Sequence, residues 1–383
     1  MFGIKKINDI FSCKALFFIM AFSIGLWTIR IPTIRDQIYT DYLGIGYLMV
    51  IFAIGAIIAM LCVNYMIVKV SSKNILIYTS FVNWILWLAV PFVKDLGTFM
   101  VVAFLFGVSF GLFEICINLQ ATKIETREKK SMMSGFHAFW SLGVLLGSFV
   151  TSLFLQWEIT ILINILIYVT IMLPINIFFC FKLKEDKKTF ANDKKNIFFI
   201  WPILIFLLAI IAMANVLTEG SVDFWGALYM KDFIKVNGFQ VGIATISFNI
   251  FMVLGRIYGD LFRDRLGVYT LLLISTLLTI ISLLILINFN TILYSILGFA
   301  LLGLGTSSIV PMAYSLASKI KGIDSGVGIS IISIAVYGTF IGAPASLGLL
   351  ANSYGINYIF TPVLVIFILL LVPIRIFKKE FKS

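Results

Sequence analysis

The chain has 383 residues, of which 61% are hydrophobic and 12% charged, and a mean hydropathy of +1.07. So much apolar side chain cannot be hidden in a water-soluble core, which excludes a soluble globular protein and leaves a polytopic membrane protein. The formal charge of +11 would suggest nucleic acid in a soluble chain, but here the lysines and arginines fall in short gaps between apolar runs and read as topology determinants, so no nucleic-acid partner is expected.

Runs of about 20 apolar residues cross ~30 Å of hydrocarbon at 1.5 Å per residue. Twelve are predicted, over 14–33, 44–68, 74–93, 98–119, 136–156, 159–180, 198–218, 240–259, 268–288, 291–315, 326–350 and 357–376. The first run continues into WTIRIPTIRD without an A-x-A-like site, so helix 1 is expected to stay in the membrane. With the N-terminus in the cytoplasm, only Arg30, Arg35, Lys94, Lys231 and Lys235 of the 29 basic residues fall outside. The positive-inside rule selects that orientation, with both termini cytoplasmic in a bacterial inner membrane. Six lysines between Lys182 and Lys195 mark a solvated cytoplasmic linker, 181–197, between six-helix bundles at 1–180 and 198–383.

Glycines carry an internal repeat. Gly46 and Gly242 are 196 residues apart (242 − 46), and so are Gly107 and Gly303 (303 − 107). Gly143 and Gly147 match Gly338 and Gly342 at an offset of 195, each pair a G-x-x-x-G on a corresponding helix. Such glycines are expected to serve close helix packing. The fold class expected is therefore all-α, twelve transmembrane helices in two six-helix pseudo-repeats.

The stretch TEGSVDFWGALYMKD, Thr218 to Asp232, sets three carboxylates and a Trp/Tyr pair at the end of the seventh apolar run. An ionisable group at membrane depth costs at least ~2.5–3.5 kcal/mol, so Glu219 is the first functional candidate, the alternative being an ordinary interfacial residue. Glu114, about 15 residues into helix 4, is the second carboxylate able to load and release a proton. His137 at the inner end of helix 5 reads as structural or as a relay. Being the only histidine, it leaves no multi-histidine metal site, and Cys13, Cys62, Cys116 and Cys180 have neither metal-ligand spacing nor a secreted disulfide pattern. No metal, cofactor or disulfide is expected. The G-L-G at Gly303 to Gly305 lies in an apolar helix with no preceding strand and is no nucleotide site, and no P-loop pattern occurs, so pumping must draw on an ion gradient.

The run GRIYGDLFRDRLG, Gly255 to Gly267, resembles the conserved loop motif of the major facilitator superfamily, with Asp264, Arg265 and Gly267 as its D-R-x-G element. Within that superfamily, GLWTIRIPTIRD, SGFHAFWSLG, LTEGSVDFWGALYMKD and GLGTSSIVPMAYSLAS, together with that run, resemble the MosC-like branch, which is linked to rhizopine, an inositol-amine derivative. The resemblance implies two parallel six-helix repeats with a midplane site between them, and a cytoplasmic latch of Arg256, Asp260, Asp264 and Arg265. The equivalent first-half loop keeps only Lys69 and Lys73. The resemblance also implies that helices 1, 4, 7 and 10 line the cavity, which makes Trp27, Arg30, Glu114, Asn118, Glu219, Trp225, Tyr229, Ser307 and Tyr314 the candidate substrate residues. Aromatic faces with carboxylate and amide groups suit a hydroxylated, sugar-like ligand, while interfacial anchoring is the alternative for Trp27 and Trp225. Helix 4 lacks the arginine and helix 5 the G-P pair of drug/proton antiporters.

These readings define a secondary active transporter, not an enzyme, that moves a small polar metabolite (sugar, polyol or inositol-like) with protons coupled through Glu219 and Glu114. A monomer in the lipid bilayer is expected. The alternatives are an exporter of an amphipathic metabolite, siderophore or drug, and an uncoupled facilitator or sensor of the same fold. Subtracting 196 from Gly226 gives Arg30, which leads to a last expectation: in the inward-facing state Arg30 pairs with Glu219 or Asp223 at an outer gate, with Trp225 or Tyr229 covering the pair, the alternative being contact with lipid phosphate.

Overall fold

The computed structural model of the chain describes residues 8–129, 132–185, 202–317, 320 and 325–382, and every regular element among them is helical. The chain divides into two compact units, residues 1–193 and 194–383. The first holds α1 (Asp9–Gln37), α2 (Tyr42–Lys69), α3 (Ser72–Ala89), α4 (Leu96–Glu128), α5 (Met133–Gln156) and α6 (Ile161–Lys182). The second holds α7 (Ile203–Leu228), α8 (Ile243–Leu266), α9 (Val268–Asn288), α10 (Ile292–Thr306), α11 (Ile309–Ala317), α12 (Ser325–Tyr354) and α13 (Phe360–Ile376). Among the described residues, twelve helical spans are long and apolar enough to cross a membrane, with α10 and α11 making one of them. The linker expected at 181–197 lies mostly outside the described residues.

Helix starts follow from local chemistry. Asn8, Asp41, Ser71, Asp95 and Thr160 each accept a hydrogen bond from the backbone N–H three residues on, satisfying a donor that the first turn leaves orphaned. The Thr98 N–H thereby holds the Asp95 carboxyl below its ordinary range. Helix α5 begins differently, because Glu125 near the end of α4 accepts from the N–H groups of Met132 and Met133 at 2.8 and 2.9 Å. Close by, Asp9 receives Arg127 Nη1 at 2.7 Å and Lys184 Nζ at 3.9 Å, which ties the start of α1 to the end of α4 and the residues after α6.

The repeat offset is written into the packing. A Cβ added at Gly107 would stand 2.0 Å from the Phe52 carbonyl oxygen, and one at Gly303 would stand 2.1 Å from that of Phe248. Phe52 and Phe248 are themselves 196 apart (248 − 52), so the α2–α4 contact of one unit is repeated as the α8–α10 contact of the other. The first G-x-x-x-G behaves as expected: Cβ atoms at Gly143 and Gly147 would each meet a carbonyl of α1, Phe18 or Phe22, at 2.3 Å. Its counterpart does not. Gly338 and Gly342 have no described atom within 4 Å of where a Cβ would be. Phe340 lies against Phe224 of α7, ring centroids 6.2 Å apart, and positions two residues away from it project from the opposite side of the helix.

Two further expectations about the elements are corrected. The seventh span does not end at 218; α7 continues ten residues to Leu228 (228 − 218) and passes into a π turn over Tyr229–Phe233. Hydropathy stops at the first carboxylate, whereas the helix is continued by Val222, Trp225, Ala227 and Leu228, all buried. The tenth span is not one rod, since a turn at Ser307 and Ser308 separates α10 from α11.

Gly107→Ala and Gly303→Ala should each destabilise by about 1–3 kcal/mol, the cost of overpacking a closed contact, whereas Gly342→Ala has room and should be neutral or gain up to ~1 kcal/mol of helix propensity. Thermal unfolding in detergent checks this. Equal losses for all three would contradict the packing described.

Candidate functional site

Glu219 sits seventeen residues into the 26-residue α7 (Ile203 to Glu219), and Arg256 fourteen residues into the 24-residue α8 (Ile243 to Arg256). Their side chains form an ion pair, Arg256 Nη2 to Glu219 Oε2, at 3.6 Å. Asn215 completes the carboxylate's partners by donating from Nδ2 to Glu219 Oε1 at 2.7 Å. About a quarter of each charged side chain is accessible, 27% for Glu219 and 24% for Arg256, so the pair is half-buried. Asn215, Glu219 and Asp223 follow at intervals of four, which puts all three on one stripe of α7. Asp223 Oδ1 is buried and has no hydrogen-bond partner among the described residues.

This pairing moves Arg256 out of the latch in which its sequence neighbours placed it. A residue midway along a transmembrane helix cannot serve a loop at its end. Of that motif, Asp264 is exposed and lies 3.5 Å from Arg263 Nε, and Gly267 ends α8 with φ +76°, a conformation that L side chains rarely adopt. Asp264 also lines a cavity of about 580 Å³ with Arg263, Tyr269, Met312, Ser315 and Phe381. Arg265 lies in the last turn of α8, and the side chain of Asp260 is outside the described set. Opposite Arg256, α8 meets the break between α10 and α11: a Cβ at Gly255 would be 2.2 Å from Ser307 Oγ, and one at Gly259 would be 2.9 Å from Ser308 Oγ. Broken helices with freed backbone groups are a recurring feature of transporter binding sites.

Several candidates prove to be framework. Tyr229 is fully buried and donates to the Leu286 carbonyl at 2.8 Å, with Phe299 and Phe360 edge-on against its ring. Trp225 is equally buried, which also removes the interfacial-anchor reading. Ser307 donates to the Leu304 carbonyl at 2.7 Å and fills the contact with Gly255, so its hydroxyl serves the helix break. Tyr314 shares a hydrogen bond with Ser333, 3.1 Å, between α11 and α12.

In the first unit, Arg30 is 3% exposed, so it does not reach lipid phosphate. Its Nε donates to Asn164 Oδ1 at 3.0 Å and its Nη2 to the Ile159 carbonyl at 2.7 Å, clamping α1 to the start of α6. Neither partner is charged. The groups that hold Arg30 and Glu219 thus lie within their own units. Trp27 is half-buried beside Trp87 and Phe99, ring centroids 6.5 and 6.2 Å away. Glu114 and Asn118 are half-buried one turn apart on α4, with Asn118 Nδ2 donating to the Glu114 carbonyl oxygen at 2.8 Å. His137 is exposed and lies edge-on to Phe17. The four cysteines are free.

Asn215, Asp223 and Asn164 were not among the site candidates read from sequence. The first two had a signal: a polar residue every fourth position, 215, 219 and 223, through an otherwise apolar helix. Asn164 had none, because its role depends on which helix Arg30 faces.

Two six-helix units with an ion pair inside a membrane-spanning helix pair define a membrane transporter. The chain belongs to the Major Facilitator Superfamily, whose family profile matches residues 15–233 and 198–383. Among its relatives are an uncharacterised MFS-type transporter of Yersinia pestis, 24% identical over 350 residues covering 91% of this chain and 90% of the relative, and the membrane protein MosC of Rhizobium meliloti, 25% identical over 350 residues covering 89% and 83%. These relatives place it in the MosC-like branch. The fold resembles a solved mutant form of the nucleoside transporter NupG, with a TM-score of 0.77 at 13% identity, covering 98% of this chain and 100% of NupG. It also resembles a bacterial homologue of the human lysosomal transporter Spinster in an inward-facing, unoccupied form, with a TM-score of 0.72 at 12% identity and 98% coverage of both.

Removing one member of a half-buried pair strands the other. Arg256→Gln should therefore destabilise by about 1–3 kcal/mol, while Arg256→Gln combined with Glu219→Gln should recover part of that loss. Thermal unfolding of the two single variants and the double variant measures the coupling. Strict additivity would mean that the pair contributes nothing.

Proposed function

We propose that this protein is a secondary active transporter of a bacterial inner membrane, with cytoplasmic termini, that couples proton movement to passage of a small polar metabolite of the sugar, polyol or inositol-like class. The observation that carries this reading is the Glu219–Arg256 pair inside the α7–α8 spans, left partly accessible. Charges at membrane depth are retained where they face a path for substrate or ions. Coupling rests on two carboxylate sites, Glu219 with its neighbours in the second unit and Glu114 in the first. The cargo class follows from the half-buried groups of the first unit. Trp27 offers an aromatic face, and Glu114 and Asn118 offer hydrogen-bonding groups one turn apart, a set that suits stacking on a ring and bonding to hydroxyls. Asp264 and Arg265 at the α8–α9 turn are proposed to serve as the cytoplasmic latch.

A thermal-shift screen of the purified protein against sugars, polyols, amino acids and amphipathic drugs tests the cargo class. A ligand at about 100 times its Kd adds roughly 2.7 kcal/mol to stability, and polyols or sugars should give the shift. A response confined to amino acids or drugs would contradict the class. With a responding polyol in hand, Glu219→Gln and Glu114→Gln should each reduce pH-gradient-driven accumulation by roughly 5- to 150-fold, the span of a coupling free energy of ~1–3 kcal/mol, while exchange persists. Undiminished accumulation in both variants would remove these carboxylates from the coupling.

A further inference from the structure

Arg30 stands twenty-two residues into the 29-residue α1 (Asp9 to Arg30) and is buried, a cation inside an apolar span. Arginine keeps its proton inside proteins, so burial does not neutralise it. The groups that hold it, Asn164 Oδ1 and the Ile159 carbonyl, are neutral and occupy Nε and Nη2, which leaves Nη1 with no acceptor among the described residues. The helices of the first unit packed on α1 do not supply the missing negative charge. Helices α5 and α6 contain no Asp or Glu. The acids of α1 itself, Asp9 and Asp36, pair with Arg127 and Arg35. Glu114 of α4 and the exposed Glu158 between α5 and α6 make no ion pair with Arg30.

The surroundings add positive potential instead of relieving it. Thr160 caps α6, and the guanidinium lies against the first turn of that helix, between Ile159 and Asn164, where a helix presents its positive end and its unsatisfied N–H groups. Asn164 is fully buried, and its Nδ2 has no hydrogen-bond partner among the described residues. The Tyr168 hydroxyl one turn further on is already engaged, with Thr151 at 2.8 Å and the Gly147 carbonyl at 3.2 Å. What is left over around Arg30 is therefore donors and positive charge. Water would occupy the donors and leave the charge uncompensated, and a metal cation would be repelled; an anion satisfies both.

We propose that Arg30 and the first turn of α6 bind a small inorganic anion of halide size, such as chloride, as the counter-charge of the buried arginine. The ion lies on the Nη1 side of the guanidinium and completes the clamp between α1 and α6. A side chain only 3% exposed leaves no opening for a lipid headgroup or a bulky organic acid. The site is separate from the charged stripe of α7, and its test needs neither a substrate nor a gradient.

Thermal unfolding of the purified protein in detergent, at constant ionic strength with chloride exchanged stepwise for gluconate, reads the site directly. A ligand that binds only the folded state raises the unfolding temperature as its concentration passes its Kd. The wild type should therefore unfold at a lower temperature in gluconate and recover with chloride or bromide. Asn164→Asp sets a carboxylate on Arg30 Nε as a built-in counter-charge. In gluconate it should unfold at least as high as the wild type does in chloride, and its chloride response should vanish. Arg30→Gln should also lose the response; because it loses the clamp as well, the aspartate variant keeps the test independent of a folding defect. A wild type indifferent to chloride, or a chloride response that persists in Asn164→Asp or in Arg30→Gln, would overturn the proposal. So would recovery brought about by added anionic lipid and not by chloride. A wild type that ignores chloride but is destabilised by Glu158→Gln would make Glu158 the counter-charge and overturn it too.

Discussion

The ion pair between Glu219 and Arg256 constrains how two membrane-spanning helices of this protein meet. Two opposite charges inside apolar spans stay there only if each remains near the other or near water, which fixes the register of α7 against α8 and the faces they turn to each other. That register places Asn215 and Asp223 on the same stripe, presents Gly255 and Gly259 to the α10–α11 break, and leaves Trp225 and Tyr229 in the core. Moving Glu219 by one residue along α7 would turn it about 100° away from Arg256.

The twelve spans and the repeat were legible in the sequence, because apolar length and glycine spacing are one-dimensional signals that survive without knowledge of neighbours. Gly107 and Gly303 show the strength of such a signal: the same offset that relates them also relates the two phenylalanine carbonyls they pack on. Glu219 was legible for a related reason, since a carboxylate in an apolar helix is costly wherever it points. Facing was not legible. Trp225 and Tyr229 share a stretch with Glu219, yet both turn into the core, and Ser307 spends its hydroxyl on the helix break. Arg256 was misplaced because it was read together with the loop motif that follows it, although it lies mid-helix.

The two units differ in how they use one repeat. In the first, α5 packs backbone to backbone on α1 through Gly143 and Gly147, and a buried arginine clamps α1 to α6 through neutral partners. In the second, α12 meets α7 through phenylalanines, and the charged cluster lies between α7 and α8. Contacts between small residues are rigid and close, whereas ring contacts leave more freedom to slide or rotate. The unit holding the ion pair is therefore the one whose α7 is less tightly locked to its neighbour.

The most direct test of this account is proton flux. The purified protein is reconstituted in liposomes loaded with a pH-sensitive dye, and the polyol that most raises its unfolding temperature is added outside with no pH gradient imposed. The account predicts a dye response that requires the polyol and the protein and that disappears in Glu219→Gln, even if that variant still exchanges the polyol. Polyol movement with no accompanying dye response in the wild type would contradict it.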